Sequence, residues 1–465
     1  DSSLSTGTDP YLNDHQFQGE RLLPAVMGLE AMAQAAAVLI GTTVPPDFSD
    51  VSFNRSVVIH EEAALTIRVA ALVREPGVVE VVLRSEETDF QVDHFRALCL
   101  FDKSAPRDFE PPRVRFTTEG EFSQVSLHPT RDLYESILFH QGRFRRLNSY
   151  SFLKATECVA EIAPDGNTSW FSQYLPGGLL LGDPAARDAA IHAIQACIPQ
   201  ATLLPIGVDK LSLKAINPSE TLYVHAQERV QDGSTFVYDL EVIGTDGLVR
   251  EHWDGLRLRQ ISNSSFQGPW PESLLGPYIE RRLREFFNGP KVSVVCESGA
   301  QDLRQARSDK AIQHALGRSL QVLRLPNGKP HIEEDSEVSA AHCGDLTLAV
   351  ASSVPVGCDI ERVEARPAPV WLDLLGAEGA RLAELIARGV PEELETAATR
   401  VWAARECLKK AGAKTEAPLL LVSTEADGWT LLSTDGCRIA TWETQVRGLA
   451  GRLVVAVLLR TDDAS

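Results

Sequence analysis

The chain has 465 residues, of which 44% are apolar and 23% charged, with a net charge of −19 and eight scattered cysteines. That length exceeds one ordinary core and predicts about three units. An acidic chain without a Lys/Arg-rich block argues against nucleic acid and anionic membrane as partners. The absence of any apolar run of roughly eighteen residues leaves no predicted membrane-spanning helix. Cysteines without a C-x-x-C pair fit reduced thiols, so a cytoplasmic location is expected. No signal peptide is recognisable, and a first residue of Asp1 rather than Met suggests a fragment of a longer polypeptide.

In chain order, the first motif is H-x3-G-x4-P, formed by His15, Gly19 and Pro24. An apolar helix follows over residues 25–39, broken only by Glu30 and Gln34, and should be enclosed. Residues 64–73, 78–84 and 94–100 alternate β-branched and polar side chains and read as strands. A Pro-containing break at 103–113 precedes Phe139-His140-Gln141-Gly142-Arg143-Phe144. A second helix is expected at about 184–197. Strands follow at 221–230, 235–243 and 248–258, turning at Asp232-Gly233 and Asp246-Gly247. A buried helix wrapped by an antiparallel sheet, given twice, implies an internal duplication. Other histidines (His60, His94, His225, His252) read as surface or packing residues.

The stretch 262–271, rich in Ser, Gly and Pro, reads as a linker. Beyond it, helix and strand alternate: a helix at 303–320, strands at 346–351 and 357–360, and a long helix at 391–411. Strands then return at 419–423, 429–432 and 453–459. This part also reads as a pseudo-duplicate, divided near Pro355.

Within it lie Gly357-Cys358-Asp359-Ile360-Glu361 and, later, Trp402-Ala403-Ala404-Arg405-Glu406-Cys407-Leu408-Lys409-Lys410-Ala411. On a strand Asp359 and Glu361 share a face; on a helix Glu406 and Lys410 share a stripe. Hard oxygen ligands beside a cation suit a magnesium–phosphate site. The same spacings also serve solvated acids and a surface ion pair. Cys343 and Cys358 flank these residues and read as small buried filler.

Together with Gly328-Lys329-Pro330 and His342, these motifs resemble the surfactin-type 4′-phosphopantetheinyl transferases, which move phosphopantetheine from coenzyme A to a carrier-protein serine. The resemblance implies Mg2+ on Asp359, Glu361 and Glu406, with Glu406 also acting as base and Lys410 pairing with phosphate. Lys329 and His342 would hold coenzyme A phosphates, with Arg304, Arg307 and Lys310 adding to that cradle. Two departures stand out: Ala341-His342-Cys343 replaces Ser-His-Ser, and Arg405 stands where lysine is common, which keeps the charge.

In the first part, His15-Gly19-Pro24, the later Asp188 and His192, and Leu204-Pro205 with Leu211 resemble the double-hotdog dehydratase domains of polyketide synthases. The resemblance implies loss of water from a β-hydroxyacyl thioester on an acyl carrier protein. His15 would take the α-proton, Asp188 would protonate the departing hydroxyl, and His192 would orient Asp188 or the substrate. Gly19 would allow close backbone approach, and Pro24 would start the buried helix. Arg143 replaces a proline of the family and bears on loop shape.

The expectation is therefore α+β: a double-hotdog domain over 1–262, with halves about 1–105 and 114–262, a linker at 263–273, and a pseudo-dimeric α/β transferase domain over 274–465. The pairing resembles the C-terminal region of an iterative type I polyketide synthase of the enediyne kind. A carrier domain of the same polypeptide and coenzyme A are the implied partners, and a homodimer is expected. A fused polyunsaturated fatty acid synthase, or a carrier-docking scaffold with one inactive domain, would share these features.

Overall fold

Two apolar helices each need a sheet to cover them, and the chain supplies one continuous sheet for both. The computed structural model describes residues 1–60, 64–101, 125–164, 168–175, 178–214, 219–263, 268–287, 289–299, 303–389, 392–414 and 417–460. They fall into two units, Asp1–Phe266 and Gln267–Ser465. The break expected at 103–113 lies outside the described residues.

The first half of unit 1 holds β1 (Ser2–Leu4), β2 (Gln16–Phe17), β3 (Glu20–Leu22), α1 (Ala25–Ile40), β4 (Asp47–Phe53), β5 (Val58–Ile59), β6 (Leu65–Glu75), β7 (Val78–Ser85) and β8 (Phe95–Leu100). The second holds β9 (Leu147–Leu153), β10 (Glu157–Ile162), α2 (Pro184–His192), β11 (Ala201–Leu213), β12 (Leu222–Asp232), β13 (Thr235–Gly244) and β14 (Val249–Asn263). Eleven of these strands form one sheet in the order β1-β6-β7-β8-β4-β11-β14-β13-β12-β10-β9. The two halves join where β4 pairs antiparallel with β11. That junction makes two expected half-units into one, so two units stand where length suggested three.

Helix α1 buries Val26, Leu29, Met32, Ala33 and Ala36, and Gly41 ends it in the left-handed conformation. Its last turn is not enclosed, because Val38 is 80% exposed. Buried Glu30 receives the backbone N–H groups of Leu180 (2.5 Å) and Leu181 (2.8 Å), which ties α1 to the segment leading into α2. The second predicted helix is shorter than expected: α2 stops at His192, and a tighter 3-10 turn covers Ala193–Cys197.

Unit 2 begins with α3 (Glu272–Phe286), β15 (Val292–Ser298), α4 (Arg304–Leu316), β16 (Leu323–Arg324), β17 (Pro330–His331), β18 (Glu337–Cys343) and β19 (Leu346–Ser352). After Pro355 come β20 (Val356–Arg362), α5 (Ala368–Gly389), α6 (Leu394–Ala411), β21 (Leu420–Thr424), β22 (Trp429–Thr434), β23 (Cys437–Thr444) and β24 (Leu453–Arg460). Two main sheets result, β15-β19-β18 and β20-β24-β23-β22-β21. Their strand pairs are all antiparallel, so this unit is α+β and the expected α/β pattern is corrected. The alternation of helix and strand misled because the strands flanking the helices pair antiparallel, β15 with β19 and β20 with β24. At the heart of the unit Trp429 and Trp442 stack at 5.6 Å, and the Trp429 indole N–H donates to the Tyr278 hydroxyl (3.0 Å).

Candidate active sites

His15 ends a short turn and enters the β2–β3 hairpin. Gln18 and Gly19 both have positive φ (51° and 86°), as a two-residue hairpin turn of this hand requires. Gly19 is exposed and nothing lies near the side chain it lacks, so it serves the turn rather than the expected close approach. The hairpin returns Leu22 to His15: its N–H donates to the His15 carbonyl (3.1 Å), and its carbonyl lies 3.0 Å from His15 Nδ1. Nδ1 therefore carries the proton and Nε2 keeps the free lone pair. Pro24 precedes α1 as its cap residue rather than lying inside the first turn.

Asp188 reaches the same place from the other half. Gly182 in the left-handed region (φ 88°) leads to Asp183, whose carboxylate caps Ala185 N (2.9 Å) and Ala186 N (3.2 Å), with Pro184 opening the helix. One turn later Asp188 and His192 share a helix face, with His192 Nδ1 3.1 Å from Asp188 Oδ2. The Tyr134 hydroxyl accepts the N–H groups of Arg146 and Leu147 (both 3.0 Å), so its own proton points to His192 Nε2 (3.0 Å). His192 Nδ1–H consequently donates to Asp188.

A third imidazole completes the cluster. His140 Nε2 lies 3.1 Å from Asp188 Oδ2. Its ring stacks on Phe139 at 4.2 Å and stands 5.2 Å from that of His15. A β-bridge between His15 and His140 fixes this approach, and Gln141 N donates to the Asp14 carbonyl (2.8 Å). Arg143, the departure from proline, forms an ion pair with Asp14 and donates to the Ser169 carbonyl (3.0 Å). It thus clamps the two loops that carry His15 and His140.

His15, His140, Asp188 and His192 line one cavity of about 80 Å³, with walls that include Leu22, Phe53, Ile191 and Leu203. Burial lowers both His15 and His140 to about 4, which leaves their rings neutral near pH 7. Burial by itself would raise Asp188, but the adjoining imidazoles outweigh it and hold the carboxyl well below the usual carboxylate range. The site can accept a proton at His15 and presents a carboxylate opposite it.

In unit 2, Gly357 lets α6 press onto β20, since a side chain there would run into the Cys407 carbonyl. This contact brings Lys410 Nζ to Asp359 Oδ1 (2.8 Å) and to the Cys358 carbonyl (2.9 Å). Glu361 Oε1 accepts the Trp402 indole N–H (3.3 Å), and Glu406 pairs with Lys409 (2.5 Å). Among the described residues, the one set of three potential ligands within 4.8 Å of one another is His15, His140 and Asp188. Asp359, Glu361 and Glu406 are therefore neighbours, not a closed ligand set as expected. Lys410 and Lys409 each pair with one of these acids, Asp359 and Glu406. Burial raises both Asp359 and Glu361, with repulsion from Glu406 adding to the first and from Asp359 and Glu406 to the second. Asp359 Oδ2 is buried without a hydrogen-bond partner.

His342 on β18 faces Thr347 on β19, with Nδ1 2.9 Å from the threonine hydroxyl. Burial and then the charges of Arg304, Arg307, Lys410 and Arg324 lower it to about 4, so it marks an electropositive patch. Arg324 contributes here without having been expected. Arg307 also holds the β18–β19 turn, donating to the carbonyls of Gly299 (2.6 Å), Asp345 (3.2 Å) and Gly344 (3.3 Å). Lys329 lies 3.5 Å from Glu337, and Lys310 is exposed on α4. Arg405 lies apart from the patch, lining a cleft with Leu374, Gly379 and Leu419, because its helix position faces α5. Cys358 is buried as expected, whereas Cys343 is only partly covered.

His140 and Tyr134 were not assigned from sequence. A lone histidine or tyrosine in a loop carries no periodic signal; the FHQGRF stretch was the available hint. Of the two readings open for His225, surface or packing, the structure shows packing. It is buried with Glu157 at 2.9 Å and Glu241 at 3.8 Å, and these acids outweigh burial to raise it to about 9.

Residues 1–86 match the family model described as polyketide synthase dehydratase domain, and residues 121–268 the model described as polyketide synthase dehydratase N-terminal domain. A mycocerosic acid synthase-like polyketide synthase of Mycobacterium tuberculosis is 26% identical over 221 residues, covering 45% of this chain. The chain spans about a tenth of the length of that relative. Among solved structures, the dehydratase domain from the CurF module of curacin polyketide synthase is 20% identical, with a TM-score of 0.46, over 56% of this chain and 92% of that one. The dehydratase domain of PpsC from Mycobacterium tuberculosis, in complex with C12:1-CoA, is 14% identical, with a TM-score of 0.43, over 56% and 92%. The first unit belongs to the polyketide synthase dehydratase family.

Proposed function

We propose that unit 1 eliminates water from a β-hydroxyacyl thioester delivered by an acyl carrier protein. The convergence of His15 and Asp188 in one buried, mostly apolar cavity carries this reading. Neutral His15 takes the α-proton through Nε2, held in that tautomer by the Leu22 carbonyl. Asp188, oriented by His140 and His192, accepts a hydrogen bond from the β-hydroxyl. Because its surroundings keep Asp188 ionised, it has no proton of its own to give. The proton that His15 lifts from the α-carbon passes to the departing hydroxyl, directly or through Asp188. The C–O bond breaks, water leaves, and both groups return to their starting states. Mass spectrometry of a 3-hydroxyacyl carrier thioester incubated with the chain should show loss of one water. His15→Ala should abolish it; an unchanged rate overturns the assignment.

For unit 2 we propose transfer of 4′-phosphopantetheine from coenzyme A to a carrier-protein serine. The buried, unpartnered Asp359 Oδ2 beside Lys410 and the His342 patch support this reading. Mg2+, held by Asp359 and Glu361 with Glu406 nearby, would neutralise pyrophosphate charge. Lys410 and the cations around His342 bind phosphate, and Glu406 accepts the serine proton. Loading of apo carrier protein, read by mass, tests it; full activity of Glu406→Ala counts against it. The enediyne-type synthase remains the context we propose, with the carrier on the same polypeptide and the chain pairing as a homodimer. A polyunsaturated fatty acid synthase would carry the same two chemistries. A docking scaffold would bind carrier without turnover.

A further inference from the structure

We propose that His15, His140 and Asp188 form a site for a borderline-soft divalent cation of the Zn2+ class, and that its occupancy blocks unit 1. Each residue offers one ligand atom, all three atoms lie within 4.8 Å of one another, and all three residues are buried. Two imidazoles and one carboxylate are a donor set that suits zinc in sites with an open fourth position.

The distances fit. His140 Nε2 and Asp188 Oδ2 stand 3.1 Å apart. Zinc bonds of about 2.0–2.1 Å in a tetrahedron give ligand–ligand edges of roughly 3.3 Å. The cation would replace the hydrogen now shared by these two atoms, the His140 proton moving to Nδ1. From within 4.8 Å, His15 has to close by at most roughly 1.5 Å to reach such an edge. The supporting contact of a ligating histidine is present at His15, whose Nδ1–H is already committed to the Leu22 carbonyl, which aims its free lone pair, whereas His140 Nδ1 has no partner. Asp188 Oδ2 is also held by His192 Nδ1–H (3.1 Å). All three residues line the same cavity.

Magnesium is a poor match, since it prefers six oxygen ligands and keeps its waters. The two units therefore differ in the cation each would select. A bound Zn2+ takes the His15 lone pair that must accept the α-proton and covers the carboxylate that must meet the hydroxyl. Blocking thus rests on the dehydratase reading; binding does not.

The full chain, titrated calorimetrically with Zn2+ in excess Mg2+, should bind one equivalent that His15→Gln and His140→Gln each weaken at least tenfold. His225→Gln should leave it unchanged. Co2+ in place of Zn2+ should give visible absorption bands of tetrahedral ligation that both cluster variants lose. Circular dichroism checks folding, and either cluster variant suffices should the other fail to fold. Wild-type affinity retained in both variants, or no bound equivalent that either one alters, overturns the proposal. Dehydration that proceeds undiminished with Zn2+ bound overturns the blocking alone. Binding without any dehydratase turnover supports the site and removes the dehydratase reading.

Discussion

His140 Nε2 stands 3.1 Å from Asp188 Oδ2, the same oxygen that His192 Nδ1 approaches at 3.1 Å, the two rings lying 4.1 Å apart. Two ring N–H donors on one carboxylate oxygen are a strong arrangement, because a hydrogen bond to a charged group contributes about 1.5–3 kcal/mol. They hold Asp188 ionised despite its burial. The proton economy of unit 1 is therefore set by residues of its second half, which share one cavity with His15 of the first.

Removing one donor should weaken that hold. In His140→Ala, kcat for dehydration should fall about ten- to a hundredfold, each tenfold corresponding to about 1.4 kcal/mol. The acid limb of the pH–rate profile, set by protonation of His15 near 4, should also move to higher pH, since His140 no longer helps to lower His15. A purely structural role would lower activity uniformly without moving that limb. Steady-state kinetics across the pH range separates the two.

His15 and His140 also tie stability to pH. Both are near 4 when folded and near 6.5 when unfolded, so the unfolded chain binds more protons between those values. Stability is full above pH 6.5 and falls as pH drops toward 4, by on the order of 3 kcal/mol for each ring. Denaturant unfolding at several pH values should show this slope for unit 1, and His15→Gln should flatten it.

His225 should behave in the opposite sense. Its folded pKa is raised to about 9 by Glu157 and Glu241 against the pull of burial. Its contribution is complete below pH 6.5 and is lost as pH rises through 9. Unfolding free energies measured at both ends of that window should differ less in His225→Gln than in the wild type.

These histidines show how far sequence carries. The helix and strands of the first half announce themselves by periodicity: 25–39 was expected and Ala25–Ile40 forms. The strand β11, central to the sheet, was missed because Pro205 and Gly207 interrupt its alternation. The structure absorbs both in a register shift, where a side chain at Gly207 would meet the Val51 carbonyl. His15, Asp188 and His192 stood in motifs and were named. His140 depends on a bridge to His15 from far along the chain, and Tyr134 on backbone N–H groups that fix its proton. Neither relation exists until the chain folds. For the acid trio of unit 2, spacing gives the face each side chain takes but not the distance between strand and helix, and the three acids do not close within 4.8 Å of one another.

The acids of unit 2 should nevertheless respond to magnesium. A buried carboxylate oxygen without a partner, on a group already pushed up by burial, gains from a cation. Added Mg2+ should therefore raise the melting temperature of the wild type, as binding to the folded state alone requires. In Asp359→Asn the rise should vanish and carrier loading should fall at least a hundredfold. A melting curve of the variant that still climbs with Mg2+ would place the ion elsewhere.

Gly357 tests whether the Asp359–Lys410 pair depends on how closely α6 approaches β20. A methyl group at position 357 would overlap the Cys407 carbonyl, a backbone atom that cannot swing aside. Gly357→Ala must push the helix outward, an overpacking that costs about 1–3 kcal/mol. Lys410 then draws away from Asp359, whose buried carboxylate loses its nearest cation. Stability and carrier loading should drop together in Gly357→Ala. Lys410→Arg, with its longer reach and fixed charge, should restore part of the loading in that background without restoring stability. Loading unchanged in Gly357→Ala would mean that the helix approach does not set the chemistry, and that the pair is structural.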